Sequence, residues 1–534
     1  RFHKNRERAV CHGESSCGYR PKQSTDSHHA SIFGRVAQFG ELKIMLFFAH
    51  YIHKAPTNTH RVLSRGFTTL MVIGFMGIFA MILGSVTSYA LQQAKYGRAL
   101  LGREQALHIA EAGLDYYRWF LSHNPGNLTN GTGLAGPYTY AVNDPEGGQL
   151  GTASLTVTGN TQCGVLQSVD LTSVGRSDQN SGYPRTISVR YMQRNVAEHA
   201  FLSNSNVWFG ASNASIGPYF SNGGIREDGS NNSTVTSALS TFTCDSSMGC
   251  SPTQSKAGVF GAGAGSALWQ YPATSIDFSG MATNFNALKG YAQASGRYLY
   301  DATVSSNHDS RGFHIILKAN GTYDVYKVTG STWVYGYRSN GDCSSNGGWC
   351  YNYDIITTES YVGNYAVSST CGLIYAEGTV WLEGTLNGKL TIVAADPGSY
   401  APDIILNGNI AYATTDGTTG LTAIAEHSVR IPLKSPDTMN IRGIFVAQTG
   451  YYGRDYYTRG YTSGNDSYVL RSTLNVIGSL VSAQRAGVAW TSGGSVVSGY
   501  QNRTNSYDRV LAFNPPPFTP VTSADFHFAL WDEK

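Results

Sequence analysis

Charge is scarce in this sequence. Only 14% of its 534 residues are Asp, Glu, Lys or Arg, against roughly 25% in ordinary soluble domains. Between Arg65 and Lys95 there is none at all. That poverty argues against a cytosolic enzyme, and other absences narrow the field further. No Gly-rich phosphate loop opens a helix, and no serine sits in a nucleophile elbow. The stretches DGSNNST and SGNDSY offer oxygen ligands without the regular Asp spacing and closing Glu of a calcium loop; calcium stays an open alternative. His308, Asp309 and His314 have no third ligand at a supportive spacing, so they read as loop and strand residues. No metal site and no cofactor are expected. The charge that is present is lopsided: residues 1–65 hold 11 Lys/Arg and 4 Asp/Glu, leaving 27 basic against 31 acidic residues beyond them. An acidic body is a poor general binder of nucleic acid.

Cysteines are few as well, 8 in all. Cys11 and Cys17 precede the uncharged run; Cys163, Cys244, Cys250, Cys343, Cys350 and Cys371 follow it. An even number beyond the run, with the close pairs Cys244/Cys250 and Cys343/Cys350, predicts disulfides formed in an oxidising compartment. Structural zinc is the alternative, but neither pair has the spacing of a zinc knuckle.

What the sequence does have is one long apolar run followed by Gly-, Asn- and Tyr-rich β texture, with 61 Gly and 34 Tyr. Phe67 to Tyr89 is long enough to cross a bilayer as a helix. The excess of basic residues before it places the leader inside the cell and the rest outside. A cleaved secretion signal would have a shorter apolar core. Here the helical pattern instead continues to Asn124-Pro125-Gly126, with Leu100, Leu107, Leu114 and Leu121 at seven-residue spacing as an apolar packing seam. The first Met is Met45; residues 1–44 are expected to be an extension of the gene with no part in the fold.

The junction Arg65-Gly66-Phe67-Thr68-Thr69-Leu70, joined to a helix with an apolar first half, resembles the precursors of the type IV pilin family. The stretch Ala106 to Trp119 is similar to the Ala-Glu-Ala-Gly helix of PilX-type minor pilins. The resemblance implies cleavage after Gly66 by a prepilin peptidase and N-methylation of Phe67. It also implies packing of the helix among other pilin subunits, a membrane-held precursor, and a mature protein on a pilus at the cell surface. One position departs from the family: the fifth mature residue, Glu in major pilins, is Met71. That departure points to a minor, tip-associated subunit engaged in assembly and adhesion.

After the helix, GPYTYAVND, ASLTVTGN, SVDLTSVGR and PRTISVRYMQR alternate like half-buried antiparallel strands. Beyond residue 200, Leu386-Asn387-Gly388 and Leu406-Asn407-Gly408 recur 20 residues apart, the spacing of stacked coils. A β-sandwich is the alternative. The expected class is therefore α+β: a pilin-type helix on a small antiparallel sheet, then a mainly β, solenoid-like domain with an α/β insertion. The expected segments are a leader (1–66), the helix (67–129), the small head (130–194), a first solenoid-like part (195–255), an insertion with a helix near 285–294 and a type I′ turn at Asn320-Gly321 (256–365), and the main solenoid-like part with a C-terminal cap (366–534).

Two candidate sites remain. Glu377, Glu383 and Asp403 are candidates for a glycosidase site, which needs two carboxylates flanking the bond; Gly378 and Gly384, directly after the two glutamates, favour solvated turn positions instead, and no catalytic residue is assigned. The loop carrying Tyr451, Tyr452, Arg454, Tyr456, Tyr457, Arg459 and Tyr461 has the Tyr/Arg composition of a recognition surface for carbohydrate or protein. A membrane-anchored β-helix protein that binds or cleaves carbohydrate is the second functional reading.

Overall fold

The computed structural model describes residues 66–534 except 180, 280–282, 306–309 and 341. The leader, with Cys11 and Cys17, lies outside the described residues, as do His308 and Asp309. The chain divides into two compact units, Arg1–Gln92 and Gln93–Lys534.

The described part of the first unit is the start of helix α1, Gly66–His123. Its side chains are apolar all round and exposed: Phe67 66%, Ile73 69%, Phe75 66% and Met81 77%. A helix without a polar face has no favourable place in water and suits hydrocarbon. Among the described residues, α1 is the helix long and apolar enough to span a membrane.

In the second unit the rest of α1 becomes amphipathic and buries Gly102, Ala106, Ile109, Ala110, Gly113, Leu114, Tyr117 and Leu121. The stripe follows three- and four-residue steps rather than the heptad. Leu114 and Leu121 belong to it, Leu107 packs at its edge, and Leu100 is 44% exposed. The seam therefore mixes small residues, Gly102, Ala106, Ala110 and Gly113, with the larger Ile109, Leu114, Tyr117 and Leu121. Asn124 N bonds Phe120 O at 2.9 Å, and Gly126 turns the chain at φ +79°, an ordinary way to end a helix.

The helix lies on an antiparallel sheet of β1 (Tyr138–Asn143), β2 (Gln149–Gln162), β3 (Val165–Ser177) and β4 (Arg185–Asn195). Alternation puts Leu155, Leu171, Ile187, Val189 and Tyr191 into one core with Leu114, Tyr117 and Leu121. A fifth strand completes this sheet. It is the C-terminal segment Val521–Glu533, paired antiparallel with β4. The expected C-terminal cap is thus in part a return to the head.

The body is a stack of parallel coils. Its inward ladder runs Ile374, Ile392, Ala423, Phe445, Leu480, Phe201, Tyr219, Val235 and Trp269, each directly opposite the next. The order is not that of the sequence. Coils from residues 201–270 stack on those of 470–506, and the chain then crosses to the far end and winds back. The segment expected as an insertion begins inside the stack, because Val259–Phe260 and Trp269–Gln270 pair parallel with the first coils. Its middle returns to the stack: Arg297–Leu299 and Gly312–Lys318 pair parallel with Leu373–Ala376 and Thr379–Leu386. What lies outside the stack is α2, Phe285–Ala294, packed on it through Leu288 and Ala292, and a long antiparallel hairpin of Thr322–Tyr337 with Trp349–Ala366.

The Leu-Asn-Gly spacing is not the structural repeat. Leu406 lies opposite Leu382, and Leu386 lies opposite Tyr412. Coil lengths vary because corners between strands take loops of different size, while only the inward positions must coincide. Asn320-Gly321 does not form a type I′ turn either. Gly321 has φ +81°, Asn320 is not left-handed, and Gly321 N bonds Lys318 O at 3.2 Å, whereas type I′ needs positive φ at both central residues.

Three disulfides are present: Cys163–Cys371, Cys244–Cys250 and Cys343–Cys350. The first ties the β2–β3 turn of the head to the edge of the body; the other two close loops of 6 and 7 residues' separation.

Candidate recognition cleft

Coil stacking brings four distant segments around a cleft of about 440 Å³. They are Val207 to Gly210 of a first coil, Tyr337 to Asn340 at the end of the hairpin, Tyr451 to Asp455, and the run from Arg485 to Thr491, with Arg503 and Asn505 at the floor. The volume is in the range of small-ligand sites.

One wall carries Tyr337 and Trp490, backed by Trp349 and Tyr456. Tyr337, Trp349, Tyr456 and Trp490 form a closed ring of edge-to-face contacts, with centroids 5.7 Å apart for Tyr337–Trp349 and Tyr337–Trp490, 6.2 Å for Trp349–Tyr456 and 5.8 Å for Tyr456–Trp490. Such geometry matches ring edge to ring face and is worth about 0.5–1.5 kcal/mol a pair beyond burial. Backbone bonds between Tyr337 and Tyr456 in both directions, 2.9 and 3.0 Å, hold the hairpin to the body here. Trp490 Nε1 donates to Arg454 O at 3.0 Å. Across the cleft, Trp208 is fixed by its Nε1 bond to Asp228 Oδ2 at 2.8 Å, with the Arg226 guanidinium 4.1 Å over its ring.

The polar lining is cationic. Arg338 is neutralised by Asp455 (Nε to Oδ2, 3.0 Å). Arg454, Arg485 and Arg503 are not held by carboxylates: backbone carbonyls and one hydroxyl satisfy them. Arg454 donates to Val469 O, Leu433 O and Tyr468 O, and its buried Nε has no partner. Arg485 Nη2 donates to Ser247 O at 2.8 Å. Arg503 donates to Tyr500 O and Ser212 Oγ, both at 2.7 Å. Burial presses all three guanidiniums below their ordinary pKa; Asp455 near Arg454 and Asp245 near Arg485 oppose the shift without cancelling it, and at Arg503 burial acts alone.

Under the hairpin lies a second, fully neutralised cluster. Arg430 bonds Asp354 (2.9 Å) and Asp403 (2.6 Å), His427 bonds Asp403 (2.8 Å) and reaches Asp342 (3.5 Å), and Arg338 reaches Asp342 (3.3 Å). Burial alone would lower the His427 pKa, but hydrogen bonds to Asp342 and Asp403 outweigh it and raise it to about 9.

The carboxylates weighed for catalysis are all occupied. Asp403 sits in that buried cluster. Glu377 is buried against Lys289. Glu383 bonds His314 Nε2 and Asn407 Nδ2, both at 2.9 Å, and His314 Nδ1 bonds Glu359 at 2.9 Å. Among the described residues no His/Cys/Asp/Glu group is arranged to hold a metal.

The structure divides the Tyr/Arg loop: Tyr451, Tyr452 and Arg454 line the cleft from inside the body, and the loop as a whole is not an exposed surface. Tyr451, Tyr452, Arg454 and Tyr457 are buried, at 6, 3, 1 and 1% exposure. Tyr452-Gly453 pairs with Val429-Arg430 as part of the stack, and Tyr457 packs on Val334, Leu433 and Val469. Tyr456 is half-buried in the aromatic ring; Arg459 and Tyr461 face solvent. Tyr and Arg carry apolar bodies with bonding tips, so they serve as wall material as readily as recognition surface. Trp208, Tyr337, Arg485, Trp490 and Arg503 were missed because no local pattern joins them.

No family model matches the chain, and no curated protein does. Among solved structures it is similar to the crystal structure of the competence-associated pilin ComZ from Thermus thermophilus, at 13% identity and a TM-score of 0.27, over 81% of this chain and 97% of that one.

Proposed function

We propose that this chain is a minor, pilin-like subunit of a type IV pilus or pseudopilus, cut between Gly66 and Phe67 by a prepilin peptidase and placed at the tip for assembly and adhesion. The observation that carries this reading is the division of α1. Its first part exposes Phe67, Ile73, Phe75 and Met81 on every side, while its later part is fitted to a small antiparallel sheet. A bilayer satisfies the first part before cleavage, and neighbouring subunit helices satisfy it afterwards. The junction Arg65-Gly66-Phe67 and the replacement of the acidic fifth position by Met71 support a minor rather than a shaft-forming subunit.

The body acts by binding rather than catalysis, since Glu377, Glu383 and Asp403 are each spent on a basic partner. The carbohydrate-binding alternative is favoured by the aromatic and cationic cleft, and it is compatible with a tip position. Co-expression with a prepilin peptidase, followed by intact-mass and N-terminal analysis, tests the main reading. The expected product begins at N-methylated Phe67. A chain that keeps its leader, or is cut elsewhere in the presence of active peptidase, overturns it.

A further inference from the structure

We propose that the cleft between Trp208 and Trp490 binds an acidic saccharide, with Arg485 and Arg503 holding the sugar carboxylate. The proposal rests on the reading of the body as the binding end, and it names the ligand class.

Three observations carry it. The first is positive charge without a bonded carboxylate: Arg454, Arg485 and Arg503 line one cavity, their bonds go to carbonyls and a hydroxyl, and Asp245 and Asp455 offset Arg485 and Arg454 only through space. Arg454 is buried while Arg485 and Arg503 are half-buried, and a guanidinium withdrawn from water without a bonded carboxylate is favoured by an anion that completes it. Arginine's planar fork is suited to carboxylates, which it binds with two parallel hydrogen bonds. The second is the shape of the aromatic wall. Tyr337 and Trp490 meet at 69° and Tyr456 and Trp490 at 63°, so the rings are closed on one another and leave no slot between them for a flat nucleobase. They can still offer a ring face to the C–H face of a pyranose. The third is the remaining polar lining: Asn213, Ser339, Asn340 and Asn505 supply the small donors and acceptors that a polyhydroxylated ring requires. A volume of about 440 Å³ holds one or a few sugar rings, not a run of phosphates.

The test uses the full chain in detergent micelles, with trigalacturonic acid, maltotriose and a short single-stranded oligodeoxynucleotide as probes, followed by tryptophan fluorescence and calorimetry. Trigalacturonic acid is expected to bind at least about tenfold more tightly than maltotriose. Arg485→Gln and Arg503→Gln should each weaken it by about tenfold or more, the usual scale for losing a hydrogen bond to a charged group, with an unchanged melting temperature. Should either variant fail to fold, the wild type decides: affinity for the acid must fall as salt rises. Equal affinity for maltotriose, salt-independent binding, tighter binding of the oligonucleotide, or no binding of the acid at about 1 mM would each overturn the proposal. Correct cleavage at Gly66 with no saccharide binding defeats this inference alone, and saccharide binding without cleavage defeats only the pilin reading.

Discussion

Phe201 lies directly opposite Leu480 in a parallel pairing that joins the first coil of the body to one of its last. Both side chains are 2% exposed in the same core, and Phe201 packs on Phe209 and Tyr219 at 5.1 and 5.6 Å. The early coils are thus continuous with the late ones. Phe201→Ala is expected to cost about 3–5 kcal/mol and Leu480→Ala about 2–5 kcal/mol. Because the residues touch across the seam, the double variant should lose less than the sum. Denaturant unfolding followed separately by probes in the 201–270 and 470–506 coils should give one transition; two separated transitions would show that the seam does not couple them.

Gly175 of β3 faces α1 so closely that a Cβ there would stand 1.9 Å from Ala106 O and 2.6 Å from Ala110 N. Backbone on a packed helix cannot step aside as a side-chain tip can. Gly175→Ala should therefore destabilise the head by about 1–3 kcal/mol or more. Gly290 in α2 is the control, since nothing lies within 4 Å of its Cβ position. Gly290→Ala should stabilise by about 0.4–1 kcal/mol. Opposite signs in thermal unfolding are expected; a neutral Gly175→Ala would mean that the helix sits farther from the sheet.

The head was legible in the sequence because its rules are local. Alternation at Leu155, Ile187, Val189 and Tyr191 needs only a period of two, and α1 needs only an uncharged run, an amphipathic continuation and the Asn124-Pro125-Gly126 stop. The packing seam was half legible. The heptad leucines Leu114 and Leu121 do pack, but the closest approach is made by Ala106 and Ala110 against Gly175 and by Gly113 against Ala153 and Ser173, where the value of the residue is its small size. The body was legible as coils but not in their order, because stacking Phe201 on Leu480 leaves no trace in spacing. The cleft depended on that order and was hidden with it: Trp208, Tyr337 and Arg485 are neighbours only after the chain has wound back.

Glu227 is fully buried, with Oε1 accepting from Gly229 N at 3.0 Å and Oε2 without a partner. Burial, opposed by the Gly229 bond and aided by Asp228, pushes its pKa up to about 8. The carboxyl is therefore protonated in the folded protein at neutral pH. From its unfolded value near 4.5 up to about 8, the unfolded chain releases a proton that the native state keeps, so stability falls as pH rises and then levels. Glu227→Gln keeps the Oε1 acceptor and removes the titration. Urea unfolding across this window should show the variant gaining on the wild type by a few kcal/mol, on the scale of about 1.4 kcal/mol per unit. Parallel curves would mean that the carboxyl is solvated.

His427 also keeps its proton at neutral pH, but as a cation. Its imidazolium is held between Asp403 and Asp342 at 2.8 and 3.5 Å, with Arg430 and Arg338 beside the same carboxylates. The pKa stands at about 9 against an ordinary 6.5. Below 6.5 the stabilisation is complete; from there to about 9 the unfolded chain gives up its proton first, and the contribution drains away as pH rises. The amount is on the order of 3 kcal/mol. Because Asp342 belongs to the hairpin end and Asp403 to the coil stack, the loss should be felt at the hairpin's foot, beside the cleft. Hydrogen exchange of the Tyr337 and Tyr456 amides, which bond each other's carbonyls, should quicken between pH 7 and 10 beyond the intrinsic pH effect in the wild type. His427→Gln should show that faster exchange already at pH 6 and no further pH-linked loss. Unchanged protection in both proteins would place the docking of the hairpin in the aromatic ring rather than in the buried charges.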